Sequence, residues 1–325
     1  MALVLVVSAA DDWSATAVAD QLAARDVPYA WADPADFPQR LELSATFDTR
    51  WHTQLHTDGR TVELDEVTAV FYRRPNDFRI PAGMSGPEER FARSQARVGL
   101  GGILAALHAR WVNHPSALAD HEYKPRQLAL AARVGLTVPR TLVTNRADDV
   151  RAFGKRVGEL VVKPLADPIV NEAGTYTPVW TRRVAADELD DLAGVETTAH
   201  LFQAWVDKDF EVRLIAAGDR LMPVAIRASS QTARVDWRSD YDALSYEPIA
   251  CPAPVAASVR RYMAAAGLAY GALDFVVDHA GVWHFLEMNA AGQWGWLADK
   301  TGIDVAGALA DVLTGGSPWP NGSTW

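Results

Sequence analysis

The chain lacks most of the devices that staple or anchor a protein. Its 325 residues include one cysteine, Cys251, which excludes an internal disulfide framework and a cysteine metal site. Cys251 precedes a proline in a loop-like stretch, a weak context for a nucleophile. No apolar run reaches the length of a membrane span. Leu3-Val4-Leu5-Val6-Val7 is too short and lacks the basic region of a signal peptide. It reads as a buried parallel strand, and the expectation is a cytoplasmic protein without a membrane partner. No basic run stands out either. With 41 acidic against 31 basic residues the formal net charge is −10 and the pI about 5.3, which argues against a nucleic-acid partner. Internal repeats, low-complexity tracts and a Ser/His/Asp or Cys/His signature are all missing. Gly99, Gly101 and Gly102 miss a dinucleotide fingerprint because position 104 is Leu, and close helix packing is their expected role.

What is present fits a folded protein of two or three domains. Hydrophobic residues make up 49% of the chain and charged ones 22%, enough for a large core without staples. A strand over 3–7, a helix from Trp13 to about Arg25 and a strand over Val27–Trp31 give a βαβ start, hence a small parallel sheet in an α/β fold. Thr46–Leu55 and Thr61–Leu64 alternate around Asp58-Gly59 and predict a hairpin. Val67–Tyr72 reads as a buried strand and 87–110 as a helix. His114, before Pro115 in a loop, is expected to be structural. A helix over His121–Arg133, a short one near Ala147–Val157 and a strand Leu160–Lys163 follow. Residues 165–178 look like a loop and 228–250 polar and irregular. Leu201–Val206 reads as a strand, Phe210–Ala216 with Leu221–Arg227 as a hairpin around Gly218-Asp219, and Val255–Gly267 and Ile303–Leu313 as helices. The end, 314–325, reads as a loose tail. The boundaries suggested are 1–117, 118–203 and 204–325.

The most informative feature is a pair of acids near the C-terminal end. Asp274 lies in Ala272-Leu273-Asp274-Phe275-Val276-Val277, and Glu287 in Trp283-His284-Phe285-Leu286-Glu287-Met288-Asn289. Both stretches favour strands, and Asp278-His279-Ala280-Gly281 signals a turn. A two-residue turn at Ala280-Gly281 sets His279 against Val282, and counting outward sets Asp274 against Glu287; a four-residue loop from His279 to Val282 gives the same register. Opposed residues share a face, with Cβ atoms roughly 4.5–5.5 Å apart, and Asn289 shares it too. Two such carboxylates repel unless a cation stands between them, and an oxygen-only donor set suits Mg²⁺ better than Zn²⁺.

Further candidates are ambiguous singly. Lys163 ends an apolar strand, where a lysine either snorkels or meets an anion. Lys124 stands near a helix start, against the dipole preference. Together they could hold nucleotide phosphates. Arg213 shares a strand face with Glu211, and Arg227 ends the next strand. Both arginines could form surface salt bridges, or could neutralise a transferring phosphoryl group. Asp236-Trp237-Arg238 lies in a polar stretch.

Taken in order, these pieces resemble the ATP-grasp superfamily over most of the chain. The resemblance implies an N-terminal small α/β domain, a central domain and a C-terminal antiparallel-sheet domain, with ATP and Mg²⁺ as cofactors. Lys124 and Lys163 match the nucleotide lysines. Gln203, Ala204, Trp205 and Val206 match the hinge strand whose backbone holds adenine. Asp209 or Glu211 would reach the ribose, and Asp274, Glu287 and Asn289 match the magnesium ligands. The phosphate-covering loop of the superfamily is often glycine-rich, whereas 165–178 here hold only Gly174.

Phe71-Tyr72-Arg73-Arg74-Pro75, Val161-Val162-Lys163-Pro164, Glu211-Val212-Arg213, Asp236-Trp237-Arg238 and Glu287-Met288-Asn289-Ala290-Ala291-Gly292-Gln293-Trp294 resemble, more narrowly, the graspetide or microviridin-type peptide maturases, actinobacterial members most of all. That resemblance implies a macrocyclase. ATP phosphorylates an Asp or Glu side chain of a ribosomal precursor peptide, and a Thr or Ser hydroxyl or a Lys amine then closes an ester or amide. Arg213 or Arg227 would neutralise charge, and Asp236 and Arg238 would hold the core peptide. The hairpin near 46–64 would hold the leader by edge pairing, and a homodimer is compatible. The competing readings are an ATP-grasp ligase adding amino acids to a protein tail or joining two amino acids, and a nucleotide-binding protein without turnover.

Overall fold

The computed structural model describes residues 3–57, 59–166, 169–172 and 174–316. Asp58 of the predicted hairpin turn, Asp167-Pro168 and the tail from 317 onward lie outside them.

The N-terminal part begins as its alternation predicts. Strand β1 (Leu3–Ser8) leads through α1 (Trp13–Ala23) to β2 (Tyr29–Ala32), and the Asp12 carboxylate caps α1 by accepting from Ala15 N at 3.0 Å. Where one strand was expected over Thr46–Leu55, two occur, β3 (Leu41–Phe47) and β4 (Trp51–Thr57), and β5 (Arg60–Glu63) completes a three-stranded antiparallel sheet. The Asp48 side chain accepts from Arg50 N and turns the chain between them. Then come β6 (Val67–Arg73), α2 (Gly86–Ala105) and β7 (Arg110–Val112), so the helix expected over 87–110 ends early and yields a strand. The parallel sheet runs β2-β1-β6-β7. The glycines of α2 do not serve close packing: a Cβ on Gly99, Gly101 or Gly102 would meet nothing within 4 Å.

The next segment opens with α3 (Pro115–Asp120), which His114 caps through Nδ1, accepting from Ser116 N. After a break at 121–123 comes α4 (Lys124–Arg133), so the helix expected from about His121 starts at Lys124 and is preceded by a short one that the sequence reading did not include. Four strands follow in part around α5 (Ala147–Val157): β8 (Thr141–Thr144), β9 (Leu160–Lys163), then β10 (Ile169–Glu172) and β11 (Thr175–Pro178). The predicted loop over 165–178 is thus a hairpin, turned at Gly174 with φ +88°. With β12 (Arg182–Val184) and β13 (His200–Ala204) an antiparallel sheet forms in the order β12-β9-β13-β8, backed by Val150 and Phe153 of α5.

The C-terminal part holds β14 (Lys208–Ala217), β15 (Arg220–Ala228), α6 (Gln231–Val235), β16 (Leu244–Pro248), α7 (Ala253–Ala266), β17 (Tyr270–Asp278), β18 (Trp283–Asn289), α8 (Gly295–Thr301) and α9 (Val305–Thr314). The stretch 228–250 therefore contains a helix and an edge strand, because β15 offers β16 a ladder that the polar sequence alone does not advertise. The antiparallel order is β16-β15-β14-β17-β18. One face of this sheet packs Val212, Leu214, Leu273, Phe275 and Phe285 against α4 and α7. On the other face Ile215, Ala217 and Ala272 pack against α9, which also covers Val4 and Val6 of the N-terminal sheet. The remainder of that second face carries the polar residues described next. Among the described residues no helix is long and apolar enough to cross a membrane.

Candidate active site

All three parts of the chain line one cleft of about 1360 Å³. Its floor is the polar half of the C-terminal sheet. Asp274 stands directly opposite Glu287, but by another route than counting from the turn suggests. Asp278, not His279, pairs with Val282, since Asp278 N donates to Val282 O across a loop closed by Gly281 at φ +79°. Near the turn the ladder is one residue off the expected register. A bulge restores it: Phe275 faces Phe285 and Asp274 faces Glu287, leaving Leu286 as the extra residue.

The register also settles which arginine joins the acids. Arg213 lies opposite Asp274, and its Nη1 donates to both carboxylate oxygens at 2.9 and 2.8 Å. Both side chains are buried. Arg227 does not belong with them. Arg213 pairs with Val224, so strand alternation puts Arg227 on the opposite face, where its guanidinium lies 4.4 Å from the Phe210 ring centre and 3.9 Å from Asp209. Asp209 is correspondingly exposed and outside the cleft, whereas Glu211 lines it. Counting from the Gly218-Asp219 turn carries the same information about Arg227. Burial raises the Glu211 carboxyl above its usual range, against the pull of Lys208 Nζ at 2.7 Å.

Lys124 and Lys163 reach the acids from different segments. Gln127, one turn into α4, bonds the backbone of Met288 on β18 through both ends of its amide, at 3.0 and 2.8 Å. That clamp fixes α4 on the sheet and brings Lys124 to 3.1 Å from Glu287, with its Nζ also donating to Pro164 O at 2.7 Å. This contact is how a lysine is kept at a helix start. Lys163 ends β9 and donates to Gln203 Oε1 at 2.9 Å, while Gln203 in turn donates to Thr141 Oγ1. Burial lowers the Lys163 ammonium to about 8, with Glu287 opposing the shift and Lys208 adding to it. Glu287 is lowered too, but by its neighbours: against burial, which raises it, Lys124, then Arg238 and Lys163, bring it down to about 2.

The hinge from Gln203 to Val206 lines the same cleft. Two of its N–H groups are committed, Ala204 N to Arg140 O at 2.8 Å and Trp205 N to Glu159 O at 2.9 Å. Gln203 contributes its side chain to Lys163, and the Trp205 ring carries Arg183 and Lys208 at 4.8 and 5.2 Å. Asp236 also differs from a group that faces a ligand. It is buried, and its oxygens accept from Arg238 N and, across the cleft, from Thr181 N, both at 3.1 Å. Arg238 stacks on Trp237 and places Nη2 3.1 Å from Asp274 and 3.5 Å from Glu287. These acids hold its charged form more firmly than burial weakens it.

Asn289 lines the cleft on the face of Glu287, so the oxygen donors expected for Mg²⁺ are assembled. Among the described residues no group of three His, Cys, Asp or Glu side chains is placed to hold a metal ion, and the set here is two carboxylates and one amide. The Arg238 guanidinium occupies the position between the carboxylates that a cation would take. The donors fit a hard metal provided that Arg238 withdraws. Lys208 and Arg74 are cleft residues that sequence reasoning assigned no role. Arg74 lay in a quoted motif, and Lys208 in a run of mixed charge that resembles a solvated turn.

Comparison with known proteins follows the same lines. Residues 3–119 match the family model of the MvdD pre-ATP grasp domain. No curated protein sequence matches the chain. Among solved structures, a RiPP-associated ATP-grasp ligase of Chryseobacterium gregarium, in complex with ADP and a leader and core peptide, superimposes with a TM-score of 0.90 at 24% identity over 98% of each chain. The macrocyclase MdnC of Microcystis aeruginosa MRC, bound with precursor peptide MdnA, gives 0.84 at 24% identity over 97% of this chain and 100% of its own. The macrocyclase MdnB of the same organism gives 0.79 at 26% identity over 96% and 99%. The chain therefore has the ATP-grasp fold, and its residues 3–119 are similar to the MvdD pre-ATP grasp domain.

Proposed function

We propose that the protein is an ATP- and Mg²⁺-dependent ligase that activates Asp or Glu side chains of a ribosomal precursor peptide and closes macrocycles through Thr, Ser or Lys side chains. The observation that carries this reading is the facing pair Asp274–Glu287, ringed by Lys124, Arg213 and Arg238, in a fold that superimposes over 98% of its length on a ligase holding ADP, leader and core peptide. Such an enzyme, consuming ATP, would act in the cytoplasm.

The chemistry is two transfers. The peptide carboxylate takes the γ-phosphoryl group of ATP, giving an acyl phosphate and ADP. The hydroxyl or amine then attacks the acyl carbon, phosphate leaves, and the peptide has lost one water per ring. No enzyme nucleophile is needed, only positioning and charge neutralisation. Lys124 and Lys163 suit the nucleotide phosphates, Val206 and the hinge carbonyls the adenine edge, and Glu211 the ribose. Asp274, Glu287 and Asn289 would hold Mg²⁺, which when bound supplies charge neutralisation at the transferring group. Arg213 holds Asp274 in place, and Arg238, once released from the acids, suits a peptide carboxylate by a bidentate contact.

The test is incubation of the purified protein with ATP, Mg²⁺ and candidate precursor peptides taken from the reading frames beside its gene. Mass spectrometry should show loss of one water per ring. An unchanged peptide with unconsumed ATP overturns the reading, and a mass gain points to an amino-acid-adding ligase.

A further inference from the structure

The second arginine of Tyr72-Arg73-Arg74-Pro75 has no part in the reading above. Arg73 ends β6 buried and engaged, 3.4 Å from the Asp12 carboxylate and bonded to Ser14 Oγ, Gln293 Oε1 and Gly292 O. Arg74 contrasts in each respect. It is exposed, it lines the cleft, and among the described residues its guanidinium has no ion pair or hydrogen bond. The other arginines of the cleft are neutralised internally, Arg213 by Asp274 and Arg238 by Asp236, Asp274 and Glu287.

The backbone at Arg74 is held away from its preference. Its φ is +43°, a region that L residues avoid, and it precedes a proline, which pushes the preceding residue toward extended geometry. Arg73 on one side and Pro75 on the other hold the conformation, and strain of this kind collects where a ligand is held.

Charge placement points the same way. Of the cations lining the cleft, only Lys163 and Arg74 lack an acidic partner at ion-pair distance among the described residues. Lys163 belongs to the central sheet beside the hinge, whereas Arg74 belongs to the wall built by the N-terminal sheet. The two spare positive charges therefore serve different sides of the cleft. Glu211, Asp274 and Glu287 on the floor would repel an arriving carboxylate, and their paired cations only cancel them.

We infer that Arg74 is a binding residue for the peptide's anionic side chain, the carboxylate to be activated and the acyl phosphate it becomes. The inference rests on the peptide-ligase reading above. The planar guanidinium fork matches either group bidentately.

The test compares native protein, Arg74→Gln and Arg74→Lys, with the Mg²⁺ salt of ADP present. The probes are an N-acetylated, C-amidated peptide of threonine, glycine and a single glutamate, and the same peptide with glutamine in place of the glutamate. Arg74→Gln removes no internal partner, so its thermal unfolding should match the native protein. The native protein should bind the glutamate peptide about tenfold more tightly than the glutamine peptide. Arg74→Gln should narrow that preference to what Arg238 supplies, Arg74→Lys should fall between, and ADP affinity should not change. Equal binding of both peptides by the native protein, an unaltered preference in Arg74→Gln, or a matching loss of ADP affinity overturns the inference. Binding is read without turnover. A bound but uncyclised peptide therefore counts against the ligase reading alone, and a cyclised peptide with an indifferent Arg74→Gln counts against Arg74 alone.

Discussion

Arg213 and Asp274 face each other across β14 and β17, one guanidinium nitrogen lying 2.9 and 2.8 Å from the two carboxylate oxygens. The pair is buried, so removing one partner strands the other. Arg213→Ala should destabilise the fold by about 3–5 kcal/mol, more than an exposed ion pair would cost. Denaturant unfolding of Arg213→Ala, Asp274→Ala and the double variant measures the coupling. Additive losses would show that the two do not act as a pair.

Gly292 is required by the same arginine. A Cβ there would lie 2.7 Å from Ala272 Cβ and 2.9 Å from Arg213 Nη2. Gly292→Ala should cost about 1–3 kcal/mol and reduce ring formation by displacing Arg213. Gly99→Ala, where a Cβ meets nothing, is the control and should stabilise α2 by up to about 1 kcal/mol. Thermal unfolding and a cyclisation assay on both variants provide the readouts.

Lys163 should give nucleotide binding a pH dependence. Its folded value of about 8 lies below a lysine's ordinary 10.5, so between these the unfolded chain holds a proton that the folded chain has released. Stability therefore rises with pH across that window, as the cost of the buried charge is removed. Nucleotide affinity runs oppositely, because phosphates favour the ammonium, and should fall as pH rises through 8. ADP titrations on either side of that pH should show the fall in native protein and a flat profile in Lys163→Met.

Arg238 bridges Asp274 and Glu287, 3.1 and 3.5 Å away, and a metal held by those acids would displace it. Peptide affinity should therefore rise when ADP and Mg²⁺ are both present, since the freed guanidinium can meet the peptide. Fluorescence anisotropy of a labelled peptide, with ADP, Mg²⁺, both or neither, measures this. Equal affinity in all four conditions would count against displacement.

Asp236 ties Arg238 N to Thr181 N across the cleft and presents no free oxygen to a ligand. Asp236→Ala should leave ADP affinity unchanged and slow cyclisation by about a hundredfold through misplacement of Arg238. A matching loss of ADP affinity would place Asp236 with the nucleotide instead.

Much of the site is legible along the chain because strand alternation is local. Period-two spacing puts Glu287 and Asn289 on one face, counting from the turn sets Glu287 against Asp274, and the same counting separates Arg227 from Arg213. A single-residue slip at the turn was offset by the Leu286 bulge, so the pairing emerged although the turn did not. Local pattern likewise determined the parallel start of β1, α1 and β2, whose hydrophobic residues are buried on both faces of the sheet. Contacts between distant segments have no such period. That Lys124 meets Glu287 depends on Gln127 imitating a strand partner for Met288. Lys208 and Arg74 became distinct from surface charge only when folding buried one beside Glu211 and left the other unpaired over the cleft. The sequence by itself determined which faces are polar, since that is a matter of spacing along one strand; only the tertiary structure decided which charges those faces meet, because each partner comes from a different sheet or helix.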